Sequence, residues 1–129
     1  MKVVLDSWAV LAMAKGEPSG HRVGQLVAAN EARMSVVNLG EVLYALVRSH
    51  GDRVAREWTQ RVGQAVEVEA ADWDLVRDAA LIKAGGGLAY ADAFCITTAR
   101  RHRATLLTGD PEIVERAGDV EVIDLRAAA

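Results

Sequence analysis

Short apolar runs alternate along this chain with longer segments in which apolar residues recur every three or four positions. Residues 2–5, KVVL, are rich in β-branched side chains and predict a strand, and Ser7, Trp8, Leu11 and Ala12 predict a helix behind it. The tract EPSG at 17–20 punctuates, a helix is expected over about 21–31, and MSVV at 34–37 reads as a second buried strand. Asn38 is the expected N-cap of an amphipathic helix reaching Arg48, with Gly51 at its C-terminal stop. A charged amphipathic helix follows over 52–64, then a weak strand, VEV, at 66–68, and a helix from Asp72 to Lys83. The triple glycine 85–87 breaks the chain before an alanine-rich helix over 88–101. That helix leads into ATLLTGD, a strand ending at 108–110, and Pro111 opens a short helix. EVIDL at 121–125 is the expected last strand, before a dispensable RAAA tail.

Strands alternating with helices predict an α/β fold of three layers, α/β/α, around a mostly parallel central sheet of four to five strands. Such sheets bind ligands outside the carboxyl ends of their strands, so Asp6, directly behind the first apolar run, is expected on the functional edge.

Composition narrows the classes. With 129 residues, 51% of them hydrophobic, the chain fits one domain over 1–129. Asp6 interrupts the first apolar stretch before it can form a signal-peptide core, no later run approaches transmembrane length, and a cytoplasmic protein is expected. The single cysteine, Cys95 between Phe94 and Ile96, reads as a small buried hydrophobe. A net charge of −3 argues against a broad basic surface holding nucleic acid by phosphate contacts alone. It leaves open an enzyme whose acidic site recruits divalent metals to meet phosphates.

Three further acids join Asp6 under the same geometry. Asp110 ends TLLTGD, Glu41 lies in the first turn of the helix behind the second strand, and Asp92 lies in the opening turns of the helix before TLLTGD. Each alone is accounted for by helix capping or dipole complementation. Together they would repel one another unless a cation intervened, and carboxylate oxygens suit Mg²⁺ or Mn²⁺. Glu41 shares a face with Asn38, Ala45 and Arg48, apart from the apolar stripe of Leu39, Val42 and Leu46. Ser7 and Thr108 place hydroxyls beside two of the acids, either as ordinary caps or to orient a carboxylate or water.

The segments VVLDSWAVLA, SVVNLGEVLYAL, LAYADAFCITTAR and TLLTGDPEI, with Asp6, Glu41, Asp92 and Asp110 in that order, resemble the PIN-domain ribonucleases. Their length and order resemble the VapC-type toxins of bacterial type II toxin-antitoxin pairs. The resemblance implies a PIN-like domain with endoribonuclease activity, in which Asp6, Glu41, Asp92 and Asp110 hold one or two Mg²⁺ or Mn²⁺ ions and cleavage leaves 5′-phosphate and 3′-hydroxyl ends. Ser7 and Thr108 are then secondary site members. It also implies an RNA substrate, a homodimer and a cognate VapB-type antitoxin that wraps over the toxin.

Trp8, Leu11, Met13, Tyr44 and Trp58 offer apolar surface for such contacts, although core packing is their default reading. RRHR at 100–103 reads as a solvated helix end before it reads as an RNA contact, and His21, His50 and His102 lack metal-ligand spacing. Two other functions stay open: an aspartate-nucleophile phosphohydrolase and a non-catalytic docking module built on the acidic edge. The first predicts a second acid two residues beyond Asp6, where the chain has Trp8.

Overall fold

In the computed structural model, which describes residues 1–128, the chain runs β1 (Lys2–Leu5), α1 (Ser7–Ala14), α2 (Pro18–Ala29), β2 (Glu31–Ser35), α3 (Val36–His50) and α4 (Asp52–Ala65). It continues through β3 (Glu67–Glu69), α5 (Trp73–Ala84), α6 (Tyr90–His102), β4 (Thr105–Thr108), α7 (Pro111–Arg116) and β5 (Val122–Asp124), and closes in a 3-10 turn, Leu125–Ala128. The strands form one five-stranded sheet in the order β3-β2-β1-β4-β5, and every pairing is parallel. The expected α/β architecture is therefore present, with an all-parallel sheet.

Strand alternation divides the core between the two faces of that sheet. Val3 and Leu5 of β1 and Leu107 of β4 pack with Val10, Val23, Val42, Leu46 and Val62 from α1 to α4. Val4 and Leu106 point the other way, against Leu75, Phe94, Ile96 and Ile113 from α5, α6 and α7. Burial on both faces is the reason the central strands read as continuous apolar runs. On the first face α1 and α2 meet closely at Gly20, where an added Cβ would collide with the Ala12 carbonyl.

Several boundaries differ from the sequence expectation by one to three residues, and three places are instructive. The second strand ends at Ser35 rather than 37, because the Ser35 hydroxyl accepts the Val37 N–H at 3.3 Å and caps α3 there. Val36 and Val37 enter the helix despite their β preference, and Asn38 is a wholly buried first-turn residue rather than the cap. EPSG is a helix start: Pro18 takes the first position of α2, where its missing N–H costs nothing. The chain's end is ordered by local contacts as far as Arg126. Leu125 is fully buried, and Arg126 is tied to Asp124 by its backbone N–H and its guanidinium.

Candidate active site

The strand order creates one topological switch point. From β1 the chain builds outward through β2 and β3, then crosses back to place β4 on the other side of β1. The carboxyl ends of β1 and β4 flank that crevice, the place where parallel sheets receive ligands. Asp6 leaves β1 there, its N–H donating to the Leu107 carbonyl of β4 at 3.4 Å.

Asp6 is 2% exposed, and both its oxygens are engaged. Oδ1 accepts the Ala9 N–H at 3.1 Å, capping α1, and Oδ2 accepts the Thr108 hydroxyl at 2.7 Å. Thr108 Oγ1 in turn accepts the Asp110 N–H at 3.0 Å. Asp110 caps α7 through Oδ1 and the Glu112 N–H at 2.9 Å. Gly109, between them, lies against the Trp8 indole so closely that a Cβ would run into the ring. Trp8 therefore packs over the turn that presents Asp110.

Asp92 sits in the first turn of α6 and is buried. Glu41 lies one turn deeper in α3 than expected, because the helix starts at Val36. The two are linked through Asn38, whose Nδ2 donates to Glu41 Oε1 and to the Ala91 carbonyl, each at 3.0 Å. Asn38 Oδ1 is buried without a hydrogen-bond partner among the described residues. Its amide thus ties the Glu41 carboxylate to the residue preceding Asp92.

The charges of these acids bear on one another. Burial pushes the Asp6 carboxyl from 3.8 to about 7; the bonds from Thr108 and Ala9 oppose the rise, and the Asp92 and Asp110 charges add to it. Burial also takes Asp92 up to about 6, helped by Asp110, Glu41 and Glu112. Among the described residues, none of the four predicted acids forms an ion pair, although arginines pair with acids elsewhere on the surface. A concentration of negative charge with no ion-paired cationic side chain, made of hard oxygen donors, matches Mg²⁺ or Mn²⁺ in kind. As they stand, no three His, Cys, Asp or Glu side chains among the described residues are grouped tightly enough to hold an ion.

Of the secondary members, Thr108 is integral to the site. Ser7 is the first residue of α1 and makes no side-chain hydrogen bond among the described residues. The sequence reading missed the bridging part played by Asn38. Trp8, Leu11, Met13 and Trp58 pack against the core as their default reading had it, whereas Tyr44 is 56% exposed. Beside it on α3, Val36, Leu43 and Val47 are exposed too. RRHR lies at the far end of α6, with Arg100 on Asp119, Arg101 on Asp72 and His102 on Glu69. Cys95 is fully buried, and burial pushes its thiol well above the usual range.

Residues 3–119 match the PIN domain. The chain belongs to the PIN-domain family. No curated protein matches the sequence. Solved PIN structures share the fold at low identity. The DNA-bound VapBC of Salmonella typhimurium is 16% identical, with a TM-score of 0.77, covering 97% of this chain and 98% of that one. VapBC-1 of nontypeable Haemophilus influenzae is 20% identical with a TM-score of 0.74, covering 98% and 99%. VapC20 of Mycobacterium tuberculosis, a toxin that cleaves the sarcin-ricin loop, is 24% identical with a TM-score of 0.72, covering 93% and 98%. At these identities the likeness speaks for the PIN fold. No helix among the described residues is long and apolar enough to cross a membrane.

Proposed function

We propose that this PIN-domain protein is a Mg²⁺- or Mn²⁺-dependent endoribonuclease acting in the cytoplasm as the toxin of a toxin-antitoxin pair. What supports the reading is that Asp6 and Asp110 leave the carboxyl ends of the adjacent strands β1 and β4, with Asp92 opening α6 and Glu41 tied by Asn38 to the residue before it, and that none of the four is ion-paired among the described residues. These four are the proposed metal-holding and catalytic residues. A bound divalent ion would supply charge neutralisation at the scissile phosphate and acidify a water for attack, leaving 5′-phosphate and 3′-hydroxyl ends.

The chain's own residues do the positioning. Thr108 fixes the Asp6 carboxylate and the Asp110 backbone together. Asn38 holds Glu41 towards the start of α6. Against an aspartate-nucleophile phosphohydrolase stands Trp8, which occupies the position two residues beyond Asp6 where that chemistry needs a second acid. Ser7 stands at the helix start beside Asp6, where it would orient solvent.

The VapBC structures described above are of toxin-antitoxin complexes, and by analogy a VapB-type antitoxin and a second copy of this chain are the proposed partners. The exposed Val36, Leu43, Tyr44 and Val47 on α3 offer apolar surface for such contacts. Incubation of the purified protein with total bacterial RNA and Mn²⁺, followed by digestion with a 5′-phosphate-dependent exonuclease, tests the activity. New fragments that the exonuclease degrades, absent with Asp92→Asn, are expected; undiminished cleavage in EDTA would overturn the reading.

A further inference from the structure

A divalent site explains how an acidic protein meets one phosphate, but it leaves open how the neighbouring phosphates of a polyanion are held above a cluster of carboxylates. The last strand supplies a cation at that place. Asp124 ends β5 and pairs in register with Thr108 of β4, the residue whose hydroxyl holds Asp6. Adjacent strands lie about 4.8 Å apart, so Asp124 is one strand spacing from the base of the site. Its carboxylate grips Arg126: Nε donates to Oδ1 at 3.1 Å and Nη2 to Oδ2 at 2.8 Å, while the Arg126 N–H also donates to Oδ1 at 3.0 Å. The buried Leu125 between them anchors the turn.

A bidentate carboxylate grip fixes a side chain that otherwise loses much rotamer entropy on binding, and it occupies only part of the guanidinium's set of N–H donors. The Nη1 donors are not used by Asp124, and the Arg126 side chain stays 45% exposed. Arg126 follows the carboxyl end of β5, and because β1, β4 and β5 are parallel this is the same edge of the sheet from which Asp6 and Asp110 emerge. The arginines of the RRHR segment, by contrast, end α6 just before β4 begins, at the amino edge.

We propose that Arg126, held by Asp124, binds a backbone phosphate of RNA next to the one that is cut. This inference rests on the ribonuclease reading, and it adds a substrate-binding residue from a segment outside the four acids. Arg126 acts in binding, and Asp124 is its positioning residue.

The test uses fluorescence anisotropy of a fluorescein-labelled, mixed-sequence single-stranded RNA, titrated with full-length protein over a range of salt concentrations. Wild-type cleavage of total bacterial RNA with Mn²⁺ is measured in parallel. Arg126→Gln should weaken binding roughly five- to tenfold, as loss of one charge-assisted contact does. It should also make the salt dependence shallower by about 0.7, the share of one phosphate on a single strand. Asp124→Asn keeps the arginine's charge and should weaken binding less, with the slope unchanged; thermal melts check that both variants fold. Wild-type cleavage together with unaltered affinity and slope in Arg126→Gln overturns the proposal and spares the nuclease. Arg126-dependent binding by a wild-type protein that cuts nothing sinks the nuclease reading and retains the contact.

Discussion

Thr108 and Asp6, 102 positions apart in the chain, share a buried 2.7 Å hydrogen bond in which the threonine hydroxyl donates to the aspartate. The same oxygen accepts the Asp110 N–H. One small side chain therefore joins the ends of β1 and β4 and sets the spacing of two acids across the switch point.

Replacing Thr108 with valine keeps the shape and leaves both of its partners, the buried Asp6 carboxylate and the part-buried Asp110 N–H, without it. Thr108→Val should destabilise the metal-free protein by about 1–3 kcal/mol, whereas Thr108→Ser should retain most of the stability. Because the Thr108 bond lowers the Asp6 pKa, the valine variant should also titrate above the wild-type value of about 7. Urea denaturation reads the first effect; a Thr108→Val midpoint equal to wild type would show that the bond does not hold the strand ends.

Asp6 and Asp92 make the stability of the metal-free protein depend on pH in an unusual sense. Their folded-state pKa values, about 7 and about 6, lie above the ordinary 3.8, so between these limits the folded chain binds more protons than the unfolded one. The contribution is fully present below about pH 4 and is lost as pH rises through about 6 to 7. Thermal melts in EDTA should show that decline, and Asp6→Asn should flatten it. Parallel profiles for the two proteins would contradict the burial of an ionisable Asp6.

Asn38 predicts a separation of metal affinity from folding. Asn38→Ala removes the bridge between Glu41 and the Ala91 carbonyl and truncates a fully buried side chain, so it should cost about 1–3 kcal/mol while the chain still folds. Mn²⁺ affinity should fall by about 10–100-fold, as for other residues that orient ligands. Equal affinities in calorimetric titrations of the two proteins would leave Asn38 a packing residue.

Gly109 and Trp8 should behave as a coupled pair. Gly109→Ala drives a methyl into the indole and should cost about 1–3 kcal/mol. Trp8→Leu in the same chain should recover part of it, since residues in contact are not additive. Full additivity in the double-mutant cycle would mean that the two do not press on each other.

Much of this was legible in the chain. Asp6 and Asp110 each stand directly behind an apolar strand, and Asp92 begins a helix that returns to β4, so topology alone assigns them to one edge. The apolar pattern alone failed elsewhere, in one place because a local cap decides and in others because distant contacts do. Val36 and Val37 look like strand residues until the Ser35 hydroxyl caps the helix before them. Asn38 has the residue type of a cap, but its partner is a carbonyl 53 residues away. Arg126 sits in an alanine-rich tail, and its nearness to the site depends on the register that sets Asp124 beside Thr108. Tyr44 follows no apolar stripe strict enough to tell core from surface.

The central claim, that these acids hold a divalent cation, is tested most directly by isothermal titration of the metal-free protein with Mn²⁺ near neutral pH. Saturable binding accompanied by proton release from the raised carboxyls is predicted for the wild type, with both lost in Asp92→Asn. A wild-type protein that takes up no Mn²⁺, or an Asp92→Asn variant that binds it just as well, would contradict the account.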